Sequence, residues 1–298
     1  MGWRIWTLLL AAQAGWAGSY VAMKFAGDAM PVGSVVVFRY GIATLGYLLL
    51  LPLIGLPRLK KRDWLLVAAL GAVNFALAPT LQVASLRYTQ ATDVSILIGL
   101  EPLITVLLAR LFLREHLDTR TIGVMGLGLV GVWVLSYEGA AGDAVARGRL
   151  WGNLLFLVSL LCEAAVTVAG GRLARRYSPL STMAAMKAFG FLTACLVYGS
   201  SMVDTEPLSY GPVAWGALIY LGLLSSLFSY GAWYWALRHV RVNQVAPSLF
   251  VQSLIGVGLG WWILDEHLGV RTWVGGALIL GSLAWSQMLS RRHDLQPQ

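Results

Sequence analysis

Charge is what this chain has least of. Only 12% of its 298 residues are Asp, Glu, Lys or Arg, about half the share of an ordinary soluble domain. With 58% hydrophobic residues, it has too few polar groups to cover a globule that faces water. Cysteine is nearly missing: Cys162 and Cys195 both fall in apolar stretches, with no disulfide framework or metal-ligand spacing. The four His have no such spacing either. No phosphate loop of the GxxxxGK-Ser/Thr type occurs, which excludes ATP hydrolysis by this chain as its energy source. An enzyme reading lacks a nucleophile paired with a base, or an HExxH pair. A channel reading lacks a carbonyl filter or a charged ring. We therefore expect no enzymatic activity, no cofactor and no bound metal.

What the chain has instead is apolar length. Runs of about 20 apolar residues, enough for a helix to cross a bilayer, recur from end to end. We read ten, at roughly 5–23, 32–54, 64–86, 91–112, 120–137, 150–171, 181–203, 212–237, 243–264 and 271–289. Nothing is left over for a soluble domain, so the expected class is an all-α polytopic membrane protein. The first run, with only Arg4 before it, is expected to be a retained helix rather than a signal peptide.

The net charge of +8 is a topology signal and not a nucleic-acid footprint. With the N-terminus inside, alternation puts "RLKKR" (58–62), Arg110, Arg114, Arg120, Arg172, Arg175, Arg176, Arg238, Arg241, Arg291 and Arg292 on the cytoplasmic side with Arg4. Only Lys24, Arg87, Arg147, Arg149 and Arg271 fall opposite. That bias predicts both termini in the cytoplasm, in a bacterial-type inner membrane.

"REHLDTRT" (114–121) and "DEHLGVRT" (265–272) are close to one sentence written twice. The offset of 151 also carries Trp64 to Trp215, Gly71 to Gly222 and "LR" at 86–87 to 237–238. Nearer the start an offset of 148 pairs Pro31 with Pro179, Ser34 with Thr182 and Arg39 with Lys187. Residues 1–140 and 141–298 thus read as two five-helix copies within one integral membrane unit. An odd-helix unit followed by its copy inserts the copy upside down, the inverted-repeat plan of secondary transporters. We expect Glu115 and Glu266 to cap the helix that follows each one, and Arg120 and Arg271 to anchor it at the headgroups.

"FRYGIA" (38–43), "EPLITVLLARLFLREHL" (101–117) and "QSLIGVGLGWWILDEHL" (252–268) resemble the EamA type of the drug/metabolite transporter superfamily. The resemblance covers essentially the whole chain. It departs where Ser253 replaces the proline that Pro102 supplies in the first copy. It implies a basket-like inverted-repeat carrier that exports small metabolites, with amino acids the best-represented cargo.

The candidate site follows from polar side chains at membrane depth, each costing about 2.5–3.5 kcal/mol on insertion scales. Glu101 shares a helical face with Asp93 and Thr105. Gln244, Ser248 and Gln252 form a stripe at spacing four on the copied helix. Asn74 and Gln82 flank Pro79, and Glu163 sits between Ser159 and Thr167. Trp16, Tyr230 and Tyr234 would be aromatic walls. We assign solute contact to Asn74, Gln82, Glu101, Gln244, Ser248 and Gln252, and expect transport by facilitated diffusion, by exchange, or by proton antiport through Glu101 or Glu163. Arg39 and Lys187, equivalent under the repeat, read as scaffold cations that snorkel or pair with a carboxylate, with a bidentate hold on a solute carboxylate by Arg39, which Lys187 could not reproduce, as the alternative. The glycines of "GVGLG" (256–260) and "GVMGLGLVG" (123–131) read as close-packing sites. The expected partners are a small-molecule solute and the lipid bilayer, with no nucleic acid; ten short-looped helices around one site suffice for a monomer. The alternative cargo is cationic drugs or dyes.

Overall fold

Helix accounts for the fold in this computed structural model, which describes residues 3–113, 119–136, 144–202, 209–239 and 248–294, with some side chains excepted. The helices are α1 (Trp3–Ala29), α2 (Val32–Ile54), α3 (Lys61–Ala72), α4 (Ala78–Ser85), α5 (Ala91–Leu97), α6 (Glu101–Leu113) and α7 (Thr119–Ser136). They continue as α8 (Ala144–Arg176), α9 (Pro179–Met202), α10 (Pro212–Ile219), α11 (Tyr230–His239), α12 (Ser248–Leu264) and α13 (Val270–Asp294). Among the described residues, five stretches are long and apolar enough to span a bilayer: Val32–Ile54, Lys61–Ser85, Arg147–Gly170, Leu180–Ser200 and Pro212–Trp233. Gly123–Leu135 and Val251–Leu264 are shorter apolar helices. Large side chains such as Leu53 (83% exposed) and Leu196 (86%) point outward, a placement that suits hydrocarbon and not water.

Three spans expected to be uniform are interrupted. Residues 73–77 form a π segment between α3 and α4, residues 98–100 a 3₁₀ turn between α5 and α6, and residues 220–229 a longer π segment between α10 and α11. Covalent chemistry explains two of them. Pro102 has no N–H to give Ile98, so the Glu101 N–H takes that carbonyl one residue early and tightens the turn. Pro79 likewise cannot donate to Phe75; the Ala78 N–H reaches back to the Val73 carbonyl, and Thr80 Oγ1 donates to the Ala76 carbonyl at 2.7 Å. In residues 220–229 the Ser229 hydroxyl donates to the Leu224 carbonyl at 2.9 Å. The first run also extends further than expected, through Ala29, and the sixth run from Ala144 to Arg176.

Helices of the first 140 residues pack on helices of the rest. The main pairs are α2 with α9, α1 with α12, α3 with α9, α4 and α6 with α8, α5 with α12, and α7 with α13. The halves interleave instead of forming separate globules. Glycine permits the closest crossings. A Cβ on Gly260 would lie 2.6 Å from Thr92 Cγ2, and one on Gly275 2.8 Å from the Gly131 carbonyl oxygen. At one end a clasp joins two connections: the Tyr177 hydroxyl donates to Asp63 Oδ2 at 2.5 Å and accepts from the Lys60 N–H at 3.3 Å. The Asp63 carboxylate holding its proton pushes the Tyr177 hydroxyl above its ordinary range.

Candidate solute site

One face of α1 organises the site. Gln13, Trp16, Tyr20 and Lys24 recur at three- and four-residue spacing, and each meets a partner from the second half. Gln13 Nε2 donates to Ser248 Oγ at 2.9 Å. The Trp16 ring meets Tyr230 edge-on at 5.1 Å and Trp233 at 5.7 Å. Gln252 Nε2 donates to the Tyr20 hydroxyl at 3.2 Å, and Lys24 Nζ pairs with Glu266 at 3.4 Å. The α12 stripe foreseen at Ser248 and Gln252 therefore faces α1.

Opposite lies a carboxylate group. Gln82, buried on α4, donates from Nε2 to Glu163 Oε1 of α8 at 3.1 Å. Glu101 starts α6 just past the 3₁₀ turn, half-buried and without a hydrogen-bond partner among the described residues. Glu101 and Glu163 are near enough to repel each other when both are charged, and Tyr20 lies within the field of both. Asn74 is buried in the 73–77 π segment, its side chain unbonded to any described residue. Phe75 joins the aromatic wall, 5.7 Å from Tyr230 and 5.4 Å from Tyr40.

Several expectations need correcting. Asp93, expected on the Glu101 face, lies on the other side of the 3₁₀ turn at residues 98–100 from Glu101 in the chain. Asp93 is fully buried at the start of α5, where Arg149 of α8 grips both its oxygens (Nε–Oδ2 2.6 Å, Nη2–Oδ1 2.7 Å). Thr89 Oγ1 completes that knot with contacts to Asp93 at 3.1 Å and to Asn153 at 2.6 Å. Glu266 does not cap the helix after it. Its oxygens accept the N–H groups of Ala91 and Thr92, each at 2.8 Å, so it caps α5 from across the molecule. Arg39 and Lys187 neither snorkel nor pair with a carboxylate. They are 4% and 0% exposed and absent from the ion pairs among the described residues. Gln244 and Glu115 lie outside the described residues, as does the side chain of Tyr234 on α11. Sequence reasoning passed over Phe75 and Tyr40 because apolar rings in an apolar helix carry no distinguishing signal.

A family model for "EamA-like transporter family" matches this chain twice, over residues 3–137 and 150–287. The chain belongs to the EamA-like transporter family. An uncharacterized transporter of Archaeoglobus fulgidus is 25% identical over 90% of this chain and 92% of its own. The uncharacterized transporter YetK of Bacillus subtilis is 25% identical over 94% and 90%. A probable terminal-alkyne amino-acid exporter of Streptantibioticus cattleyicolor is 25% identical over 97% and 93%. A solved crystal structure, 19% identical, superposes over 99% of this chain and 100% of its own with a TM-score of 0.66, a likeness of fold. As an EamA-like transporter the chain is a multi-pass membrane protein and not an enzyme, and its partners are a small-molecule solute and the bilayer. Its described residues include no cluster of three His, Cys, Asp or Glu able to hold a metal.

Proposed function

We propose that this transporter exports small zwitterionic metabolites, amino acids foremost, by alternating access. The observation that carries the reading is the facing of two polar pairs across the halves, Gln82 with Glu163 and Tyr20 with Gln252, beside the unbonded Glu101. Acids and amides at membrane depth are costly unless they serve a pathway or a solute. Trp16 and Tyr230 would close the site with an apolar wall, Asn74 and Ser248 would extend it, and Gln244 and Tyr234 remain assigned to it from sequence. The amino-acid exporter among the relatives supports the cargo.

Ten spanning helices in two inverted copies, 1–140 and 141–298, are the architecture we propose for that motion. The offset of 151 carries Val73–Leu77 onto 224–228, inside the second π segment. Arg39 packs on that second segment and Lys187 on Phe75 of the first. The double family match supports the same reading. The distribution of basic residues favours an inner-membrane location with both termini cytoplasmic, and the interleaved halves are sufficient as a monomer.

Proton antiport through Glu101 or Glu163 would drive export. A second reading, efflux of organic cations, is favoured by the two acids beside aromatic rings. Solute counterflow in proteoliposomes decides between them. Transient overshoot with a neutral, aromatic, basic or acidic amino acid is expected. Overshoot with cationic dyes alone would sink the amino-acid reading.

A further inference from the structure

Among the described residues, buried charge is compensated in two places and not in a third. Asp93 has Arg149, and Glu266 has Lys24 and two backbone N–H groups. Arg39 and Lys187 have no anionic partner among the described residues. The Arg39 guanidinium donates only to neutral acceptors: Nε to Ser226 Oγ at 3.0 Å, Nη2 to Ser225 Oγ at 3.3 Å and Nη1 to Met23 Sδ at 3.3 Å. The Lys187 ammonium has no hydrogen-bond acceptor among the described residues. It rests among rings, 3.8 Å from the centroid of Phe75, 4.1 Å from Tyr230 and 5.3 Å from Tyr40. Arg39 Cζ lies 5.1 Å from that same Tyr40 ring, so two like charges share one aromatic neighbour.

Ring faces attract a cation but carry no net charge to cancel it. In a low-dielectric interior two uncancelled cations repel each other and draw an anion strongly. Glu163 feels Arg39 but is spent on Gln82 and sits outside ion-pair distance of either cation. Tyr230, one ring of the Lys187 cage, is also the ring that Trp16 meets in the solute site. Tyr230 is only half-buried, so Lys187 lies one side chain behind the wall.

We propose that Arg39 and Lys187, which both approach the Tyr40 ring, form the subsite for the solute's carboxylate. Lys187 supplies the free charge, and Tyr230 is the ring that yields to admit the anion. Glu101 and Glu163 receive the solute's ammonium. The inference rests on the carrier reading above and sharpens it: a transported solute must bring a carboxylate, and a simple amine of the same shape is refused.

The test uses the full chain in proteoliposomes and counterflow of matched probes: L-phenylalanine, L-phenylalaninamide, phenethylamine and 3-phenylpropionate, with L-leucine, leucinamide and isopentylamine as a second series. The expected result is overshoot with the amino acids and not with their amides or amines. Lys187→Met should raise the half-saturating amino-acid concentration by about tenfold or more, and Lys187→Arg should keep it within about threefold. Equal overshoot with amide or amine overturns the inference and leaves an amino-acid exporter standing. So does an unchanged affinity in folded Lys187→Met protein. Overshoot with 3-phenylpropionate but no amino acid keeps the carboxylate subsite and removes the amino-acid reading. Movement of phenethylamine alone, or of no probe, removes both. Probe selectivity in the unaltered protein decides the matter even where Lys187→Met fails to fold.

Discussion

Glu266 caps Thr92. The carboxylate at the end of α12 accepts the Thr92 N–H at 2.8 Å, and the neighbouring Ala91 N–H at the same distance. Asp265 makes this possible by adopting a left-handed backbone, φ 51°, which Asp tolerates better than bulky residues. The turn sends Glu266 back over the N-terminus of α5, where two unpaired N–H groups and the helix dipole favour a negative charge. A residue of the second half thereby holds shut one end of the first half's interrupted helix.

Removing that carboxylate frees the end of α5. Glu266→Ala is expected to speed hydrogen exchange in peptides covering Ala91 and Thr92 by at least about tenfold, with a loss of roughly 1.5–3 kcal/mol of stability. Glu266→Gln, which keeps one acceptor oxygen, should fall between. Unchanged exchange in both variants would show that α5 is held by packing alone.

Gly260 tests the same contact sterically. A Cβ there would meet Thr92 Cγ2 at 2.6 Å and Glu266 Oε2 at 2.8 Å. Gly260→Ala should cost about 1–3 kcal/mol and mimic part of the Glu266→Ala exchange pattern. Gly258, with nothing within 4 Å of its would-be Cβ, is the control. Equal thermal denaturation midpoints for the two alanine variants would contradict the packing described.

Asp93 and Arg149 should behave as one unit. Breaking a buried pair by removing one partner costs about 3–5 kcal/mol, so Asp93→Ala and Arg149→Ala are each expected to lower stability severely. The double variant should be less impaired than the two losses added together. Full additivity in that cycle would mean the two side chains are not coupled.

Glu101 and Glu163 differ in their bonding, and their variants should differ in effect. Glu101, unbonded among the described residues, should tolerate Glu101→Gln with folded yield intact and counterflow reduced. A collapse of folded yield would make Glu101 structural. Glu163→Gln replaces the acceptor of Gln82, so a modest loss of stability, about 0.5–1.5 kcal/mol, should accompany loss of the response to an imposed pH gradient. Transport of a neutral amino acid that ignores the gradient in the unaltered protein would end the proton-antiport reading.

Apolar run length and the scarcity of charge were enough to reveal a helical membrane protein, because a bilayer accepts little else. The α12 stripe through Ser248 and Gln252 is visible in the sequence because period 3.6 is a local property of the helix. Interruptions were not legible in the same way. Pro102 was in plain view, but its effect depends on which N–H takes the Ile98 carbonyl instead. The partners of charged groups were harder still. Local sequence makes Glu266 a cap for the helix after it, whereas α5, some 175 residues away in the chain, presents the N–H groups it accepts. The partner of Asp93, Arg149 on α8, is likewise set by packing between helices. Arg39 and Lys187 were read as paired or snorkelling; their burial without an anion is visible only once α2, α9 and the π segments are packed together. The sequence by itself determined what the chain must dissolve in. Only the tertiary structure decided which charges meet, because pairing depends on distances between helices that no local pattern encodes.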